Sequence, residues 1–307
     1  MHQGKLRTAV PAVLPTRDGV GPSCVSLTSG PWATITDFLV QRFPGQARAV
    51  WLQRMLRGEV VDEHGAPVTE QRAYRSHLRV YYYRTLADEP RIPFDELLLF
   101  QDRHLLVIDK PHFLPVVPGG NYLQETVLVR LKRKLGIDTI VPIHRIDRDT
   151  AGLVLFSVQP ATRDHYQALF RERRIAKTYE AIAPWRADLQ LPLTRASRIT
   201  QAEHFMQQRE VPGMPNAVTH IDLLRTIGAL AHYRLNPVTG HRHQLRVHMA
   251  ALGLPIVGDG IYPHLSPECE PDYRNPLQLL AKSIEFTDPV SGQLRRYDST
   301  RRLRLAG

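Results

Sequence analysis

The stretch HRIDRDTAGLVLFSV (His144–Val158) places five charged or titratable side chains directly in front of the apolar run Ala151–Val158. That run is far shorter than the roughly 18–20 residues a helix needs to cross a bilayer, and it has the length of a strand buried on both faces. A strand of this kind needs a sheet around it and packing on each side, which excludes an isolated hairpin or a helical bundle. The polar cluster then falls on the loop that enters the strand, and loops held by a rigid scaffold are where reactive groups are commonly placed.

The surroundings agree with a sheet. Strand-like runs at Leu105–Ile108, Leu153–Val158, Thr178–Ala183, Val218–Leu224 and Ala229–Leu235 mix with helical periodicity at Glu125–Leu135, Ala161–Arg173 and Gly240–Leu252. Only some of the strands are separated by a helix. The pattern is therefore α+β, with a mixed, mainly antiparallel central sheet and flanking helices, rather than a regular βαβ repeat.

Ahead of this region, residues 1–33 carry Pro, Gly and Ser punctuation with no sustained period and read as an irregular extension. From Thr34 the pattern changes. Ile35, Leu39 and Phe43 recur at helical spacing behind Thr36 and Asp37, which can cap a helix start, and Pro44-Gly45 ends it. A second helix is predicted over Ala47–Arg57 with Gly58 as its stop, followed by a β-rich RVYYYR segment at Arg79–Arg84. The stretch 87–96, with Pro90 and Pro93, reads as a linker. The expected organisation is an extension over 1–33, a small α/β domain over 34–86, the linker, and a large domain over 97–307.

Forty Lys plus Arg against thirty Asp plus Glu give a net charge of +10 and a pI near 9.8. This excess favours a polyanionic partner. Basic clusters at Arg130–Lys134, Arg171–Arg174 and Arg295–Arg304 are the expected phosphate contacts. Cys24 and Cys269 lie far apart and outside any ligand-spaced cluster, which points away from a disulfide framework or cysteine zinc site and towards a reducing cytoplasm. No GxxxxGK[ST], GxGxxG, GxSxG or HExxH occurs.

Functional groups concentrate in HRIDRDTAG (His144–Gly152), KTY (Lys177–Tyr179) and TGHRHQLRVH (Thr239–His248). Asp147 and Asp149 can share one side of an extended chain, which leaves open a two-carboxylate hydrolase. His241, His243 and His248 invite a metal reading, but on a helix His241, Gln244 and His248 fall at i, i+3, i+7, one position being an amide, so no metal site is expected. Leu245, Met249 and Leu252 form the apolar stripe of the predicted helix, and Arg242 and Arg246 are i, i+4 neighbours on another face, suited to a phosphate or a carboxylate.

Taken together, the three segments resemble the RluA-type pseudouridine synthases. HRIDRDTAGLVLF is similar to that family's HRLDxxTSGLLL signature, Lys177-Thr178-Tyr179 to its K-x-Y motif, and TGHRHQLRVHMAALGLPIVGD (Thr239–Asp259) to its GRxHQIRxHxxxxGxPIxGD block. The likeness runs from about Leu97 to Tyr262 and takes in LLVIDKP (Leu105–Pro111). Ile146 stands where Leu is usual, Ala151 where Ser is usual, and His241 precedes Arg242. Thr34 to about Leu86 resembles a small RNA-binding module of a ribosomal small-subunit protein.

The resemblance implies isomerisation of uridine in ribosomal or transfer RNA with no cofactor; the residues themselves point to no metal site, no membrane span and no obligate protein partner, and a monomer is expected. The resemblance gives Asp147 the role at the ribose, as nucleophile or as the base that starts glycosidic cleavage, with Arg246 as its charge partner and Tyr179 stacked on the extruded uracil. Arg145 would fill the place the base leaves. Arg148, Lys177, Arg242 and His248 complete the implied RNA contacts. The competing readings are a noncatalytic RNA-binding or assembly protein that keeps the fold, and a nucleoside or glycan hydrolase using Asp147 and Asp149.

Overall fold

A computed structural model describes residues 14–86, 88–267 and 272–304. The chain divides into two compact units, Met1–Glu89 and Pro90–Gly307. Cys269 lies outside the described residues, and Cys24 is an exposed free thiol. Among the described residues no helix is long and apolar enough to cross a membrane.

The N-terminal unit contains β1 (Ser23–Ser26), α1 (Ile35–Arg42), α2 (Arg48–Leu56), β2 (Val60–Asp62) and β3 (Arg79–Tyr82), with β1 and β2 both antiparallel to β3. Ile35, Leu39, Trp51, Val60 and Val80 are fully buried in its core. Two expectations change here. The cap of α1 is Thr34, whose hydroxyl accepts from the Asp37 backbone N–H while the Asp37 carboxylate accepts from that of Thr34, a reciprocal capping box. Thr36 lies inside the first turn and donates to the Glu70 carbonyl. The segment before Thr34 is also not wholly irregular, since β1 lies within it. Four residues with alternating exposure carry too little pattern to announce a strand whose partner is more than fifty residues away in sequence.

The C-terminal unit holds β4 (Leu97–Gln101), β5 (Leu105–Lys110), α3 (Val127–Leu135), β6 (Val141–Pro142), β7 (Ala151–Ser157) and α4 (Arg163–Arg171). Next come β8 (Ile175–Pro184), β9 (Leu193–Gln201), β10 (Gln208–Val211), β11 (Ala217–Ile227) and β12 (Leu230–Pro237). They are followed by α5 (Gln244–Ala251), β13 (Leu279–Thr287) and β14 (Leu294–Asp298). The sheet runs β10-β9-β11-β12-β8-β13-β7-β5-β4, with β14 added to β13 and β6 to β7. Among the described strands, β7 and β13 form the one parallel pair, so the sheet is mixed and mainly antiparallel, as the sequence pattern predicts.

All seven residues of β7 are buried. Leu153 and Leu155 enter the cluster that includes Tyr166 and Leu169 of α4, while Val154 and Phe156 enter the one with Val127 and Leu131 of α3. The two faces of the strand thus feed two cores, which is what an uninterrupted apolar run requires. Gly152 is obligatory at its start: φ is 108°, and a Cβ would lie 2.2 Å from the Ala281 carbonyl oxygen of β13. Residues 92–96 are docked onto this unit rather than forming a free linker. Ile92 is buried, its N–H donates to Glu125, and Arg130 donates to the carbonyls of Ile92 and Phe94.

Helix α5 begins four residues later than its periodicity suggests. His243 adopts the left-handed region at φ 55°, which a helix cannot continue through. The Gln244 side chain fixes this start, accepting from the Thr239 hydroxyl and the His241 N–H and donating to the Val218 carbonyl and the Thr219 hydroxyl. Arg242 and Arg246 therefore share no helix face.

Candidate active site

The loop 144–150 is pinned at nearly every residue. His144 Nε2 accepts from the Leu155 N–H at 3.1 Å, and its ring stacks on Phe170 at 4.4 Å. Burial, with Lys177 nearby, pushes this histidine down to about 3, consistent with a neutral acceptor. Ile146 packs into the α3-side core. The Thr150 N–H donates to the Asp147 carbonyl, Lys110 Nζ to the Arg148 carbonyl at 2.8 Å, and His112 Nδ1 to the Asp149 carbonyl at 2.7 Å. Lys110 is wholly buried at the end of β5; burial lowers its pKa to about 7, although Asp149 and Asp147 oppose the shift.

This framework leaves the Asp147 side chain 28% exposed while its carboxylate meets Arg246 Nη1 at 3.2 Å. Arg246, on α5, is 2% exposed and is itself held by Asp259. Nε donates to Oδ2 at 2.8 Å and Nη2 to Oδ1 at 2.6 Å, a bidentate fork that uses one edge of the guanidinium and leaves Nη1 for Asp147. Burial works against the charge on Arg246, but the Asp259 hydrogen bonds and the charges of Asp259, Asp147 and Asp149 outweigh it and hold its pKa above the ordinary value. Asp259 also accepts from the Ile261 and Tyr262 N–H groups, which fixes it in turn.

His243 approaches from the other side, with Nε2 3.8 Å from Asp147 Oδ1 and Nδ1 3.0 Å from the Tyr262 hydroxyl. The Tyr262 oxygen also accepts from the Gln208 N–H, which fixes the hydroxyl beside His243. Burial keeps this histidine neutral by lowering its pKa, with Asp147 opposing and Arg246 reinforcing the shift.

Tyr179 on β8 lies in register with Ala281 of β13, which lies in register with Gly152, so one row of residues across three strands joins the tyrosine to the end of the Asp147 loop. Burial, then the charge of Asp147, pushes the phenol up, so it is protonated at neutral pH. Arg145 is exposed, with no hydrogen bond or ion pair among the described residues.

The other sequence-predicted contacts are placed differently. His248 is fully buried between Thr219 (2.9 Å) and Ser197 (3.0 Å) and does not face a ligand; burial lowers it to about 4. Lys177 donates to the Thr239 carbonyl, tying β8 to the segment before α5. Arg242 donates to the carbonyls of Phe205 and Met206. Arg148 pairs with Asp149 at 2.9 Å, so the second carboxylate of a hydrolase is occupied by a neighbouring cation. Several of the basic clusters are also internally paired: Arg130 with Glu96 and Glu125, Arg295 with Asp102 and Asp288, Arg296 with Asp298. The histidines of the third segment do not converge, and among the described residues no group of three or more His, Cys, Asp or Glu is arranged to hold a metal ion. Asp259, His243, Tyr262 and Lys110 belong to the site although the sequence pattern alone does not mark them as its members.

A loop-borne carboxylate set against a doubly anchored arginine, with a half-buried tyrosine on β8, is the arrangement the three sequence motifs lead to. Residues 104–251 match the RNA pseudouridylate synthase family model. Over 210 residues the chain is 32% identical to the dual-specificity RNA pseudouridine synthase RluA of Haemophilus influenzae, covering 66% of this chain and 91% of that protein. It is 30% identical to ribosomal large subunit pseudouridine synthase D of Pseudomonas aeruginosa, covering 66% and 67%. Human RNA pseudouridylate synthase domain containing 1 shares the fold, with TM-score 0.56 and 22% identity over 70% of this chain and 86% of that one. The chain belongs to the RNA pseudouridine synthases. Within them it is of the RluA type, an isomerase of uridine in RNA.

Proposed function

We propose that Asp147 attacks or deprotonates the ribose of a uridine swung out of its RNA, and that the substrate is ribosomal or transfer RNA met in the cytoplasm without an obligate protein partner. The observation that supports this reading is the Arg246 fork. Its Nε and Nη2 are fixed on buried Asp259 and its Nη1 meets the part-exposed Asp147, so a preorganised cation faces the carboxylate, which retains an open side. In the proposed sequence, the glycosidic N1–C1′ bond breaks, the uracil turns, C5 joins C1′, and the proton lost from C5 is balanced by one gained at N1. Tyr179 supplies a face for the uracil; its phenol is protonated at neutral pH and does not itself take up that proton. Arg145, exposed and without an ion pair among the described residues, enters the stack where the base was.

The test is to map pseudouridine in total RNA with and without the protein, and with Asp147→Asn. That variant removes the charge with little change in volume, so it should abolish isomerisation and leave RNA binding within a few-fold. Substantial turnover by the purified variant would remove Asp147 from the mechanism. Release of free uracil or sugar would instead favour hydrolysis.

A further inference from the structure

The proposed chemistry leaves unused a cavity of about 280 Å³ that adjoins the Asp147 loop through His112. Its floor is aromatic. Phe94 and Phe113 are stacked with centroids 6.2 Å apart, and Tyr273 stands edge-on to them at 5.3 and 5.1 Å. Phe113 is held at φ 67°, a region that side chains other than glycine seldom occupy. Phe94 and Tyr273 are only half-buried, so ring surface remains open to the cavity.

The rim is cationic. Arg301 is spent on the protein, donating to the carbonyls of Asp95 and Asp109 and pairing with the Asp109 carboxylate. Arg302 and Arg304 are exposed, and among the described residues neither guanidinium has a carboxylate partner. His112 adds an acceptor: its Nδ1 proton goes to the Asp149 carbonyl, and burial lowers its pKa to about 4, so Nε2 carries a lone pair at neutral pH. A larger cavity of about 390 Å³ elsewhere on the same unit makes the contrast. No ring lines it, and its Arg234, Arg296 and Glu180 are already paired with Asp222, Asp298 and His232.

Open aromatic faces beside unpaired arginines are what a single-stranded nucleotide recognises, the base stacking and the phosphate meeting the cations. We propose that this cavity receives one unpaired nucleotide of the substrate RNA, its base against Phe94 and Tyr273 and its phosphate on Arg302 and Arg304. The inference rests on the reading of the chain as an enzyme acting on RNA through Asp147. It adds a second anchoring point for the strand, and His112 Nε2 favours a base edge that presents an N–H donor.

Two experiments on the full chain separate failure of this inference from failure of that reading. In the first, Arg302→Gln/Arg304→Gln and Tyr273→Ala are assayed on the RNA in which the modified uridine has been mapped. KM should rise roughly tenfold or more with kcat unchanged, and the double variant should flatten the salt dependence of binding by roughly one to two units. An active parent whose variants keep the parental KM overturns the cavity assignment. In the second, adenosine 5′-monophosphate, adenosine and inorganic phosphate are titrated against the protein, following Tyr273 ring resonances. The nucleotide should bind more tightly than either fragment, and both the Arg302→Gln/Arg304→Gln double variant and Tyr273→Ala should weaken it. Phosphate binding as tightly as the nucleotide, or no shift at Tyr273, overturns the inference whether or not the parent isomerises uridine.

Discussion

Each unit contains an aspartate facing an arginine, and the two pairs are used in opposite ways. Asp62 in the N-terminal unit has a side chain 4% exposed, and its oxygens accept from the His64 and Ala66 N–H groups and from Arg72. Three donors reach its two oxygens, and the carboxylate closes a turn. Asp147 in the C-terminal unit is 28% exposed, takes a single hydrogen bond from Arg246 and has His243 nearby. Its arginine, not the aspartate, is the more fully bonded member, with all three nitrogens donating. An aspartate–arginine contact thus says little about role. What separates structure from chemistry is which partner still has unfilled hydrogen-bonding capacity on an accessible side.

The largest expected effect comes from breaking the second arrangement. Arg246→Ala leaves Asp259, 1% exposed, as a buried carboxylate with no cation, a change that typically costs about 3–5 kcal/mol. It also removes the charge beside Asp147. Urea unfolding should show the destabilisation, and turnover should be lost even where the protein remains folded. Arg246→Lys should recover part of the stability and little of the turnover, because an ammonium cannot bridge two carboxylates as the fork does. Full activity in either variant would show that Asp147 needs no such partner.

Acid should act mainly on the C-terminal unit, where His112, His144, His243 and His248 all have lowered pKa values with burial as the leading cause. A histidine whose folded pKa lies below its unfolded value of 6.5 is a group to which the unfolded chain binds the proton more readily. Stability is therefore unaffected above that value and declines as pH falls from 6.5 towards about 4. Thermal unfolding between pH 7.5 and 4.5 should show the decline. His248→Gln, which cannot ionise and can still reach Thr219 and Ser197, should flatten it. A profile unchanged by that substitution would mean that His248 is not a source of the acid sensitivity.

These expectations also mark what is legible in the sequence. Asp147, Tyr179 and Arg246 stand out because each sits in a short block rich in reactive groups, and the buried strand behind Asp147 is visible as an apolar run. The supporting residues are not. Asp259 lies in the PIVGD stretch and Lys110 at the end of LLVIDKP, but their partners are Arg246 and the Arg148 carbonyl, 13 and 38 residues away. By spacing, His243 groups with His241 and His248 as a possible ligand set, whereas one left-handed residue places the three in different surroundings. Strands β9 and β10 are hidden because alternating half-exposed side chains give a weak signal, and their pairing is with each other and with β11.

The same distinction between spent and unspent groups alters what the N-terminal unit is proposed to contribute to RNA binding. Of the arginines a charge count would enlist there, Arg54 is buried against Trp51, and Arg48, Arg72 and Arg79 are paired with carboxylates. Arg42, Arg57 and Arg75 are exposed with no carboxylate partner among the described residues. A chain starting at Pro90 keeps residues 92–96 docked through Arg130 and Glu125 and should fold. Its RNA affinity should fall, and the slope of log K against log salt should flatten by roughly two to three units, one for each phosphate that the shorter chain leaves unneutralised. Identical slopes for the two chains would mean that the N-terminal unit does not touch RNA.

The smallest effect should come from the first pair. Arg72→Gln removes one of the donors to Asp62, but the His64 and Ala66 N–H groups still hold the carboxylate in its turn, and the Arg72 side chain is 31% exposed, so water can take its place. The cost should be about 1 kcal/mol or less, as for exposed ion pairs generally. Thermal unfolding of the whole chain should move by a few degrees at most, and turnover should not change because no part of the Asp147 site belongs to this unit. A loss comparable to that of Arg246→Ala would mean that Asp62 depends on its arginine as Asp259 does, and that the difference in saturation does not separate the two pairs.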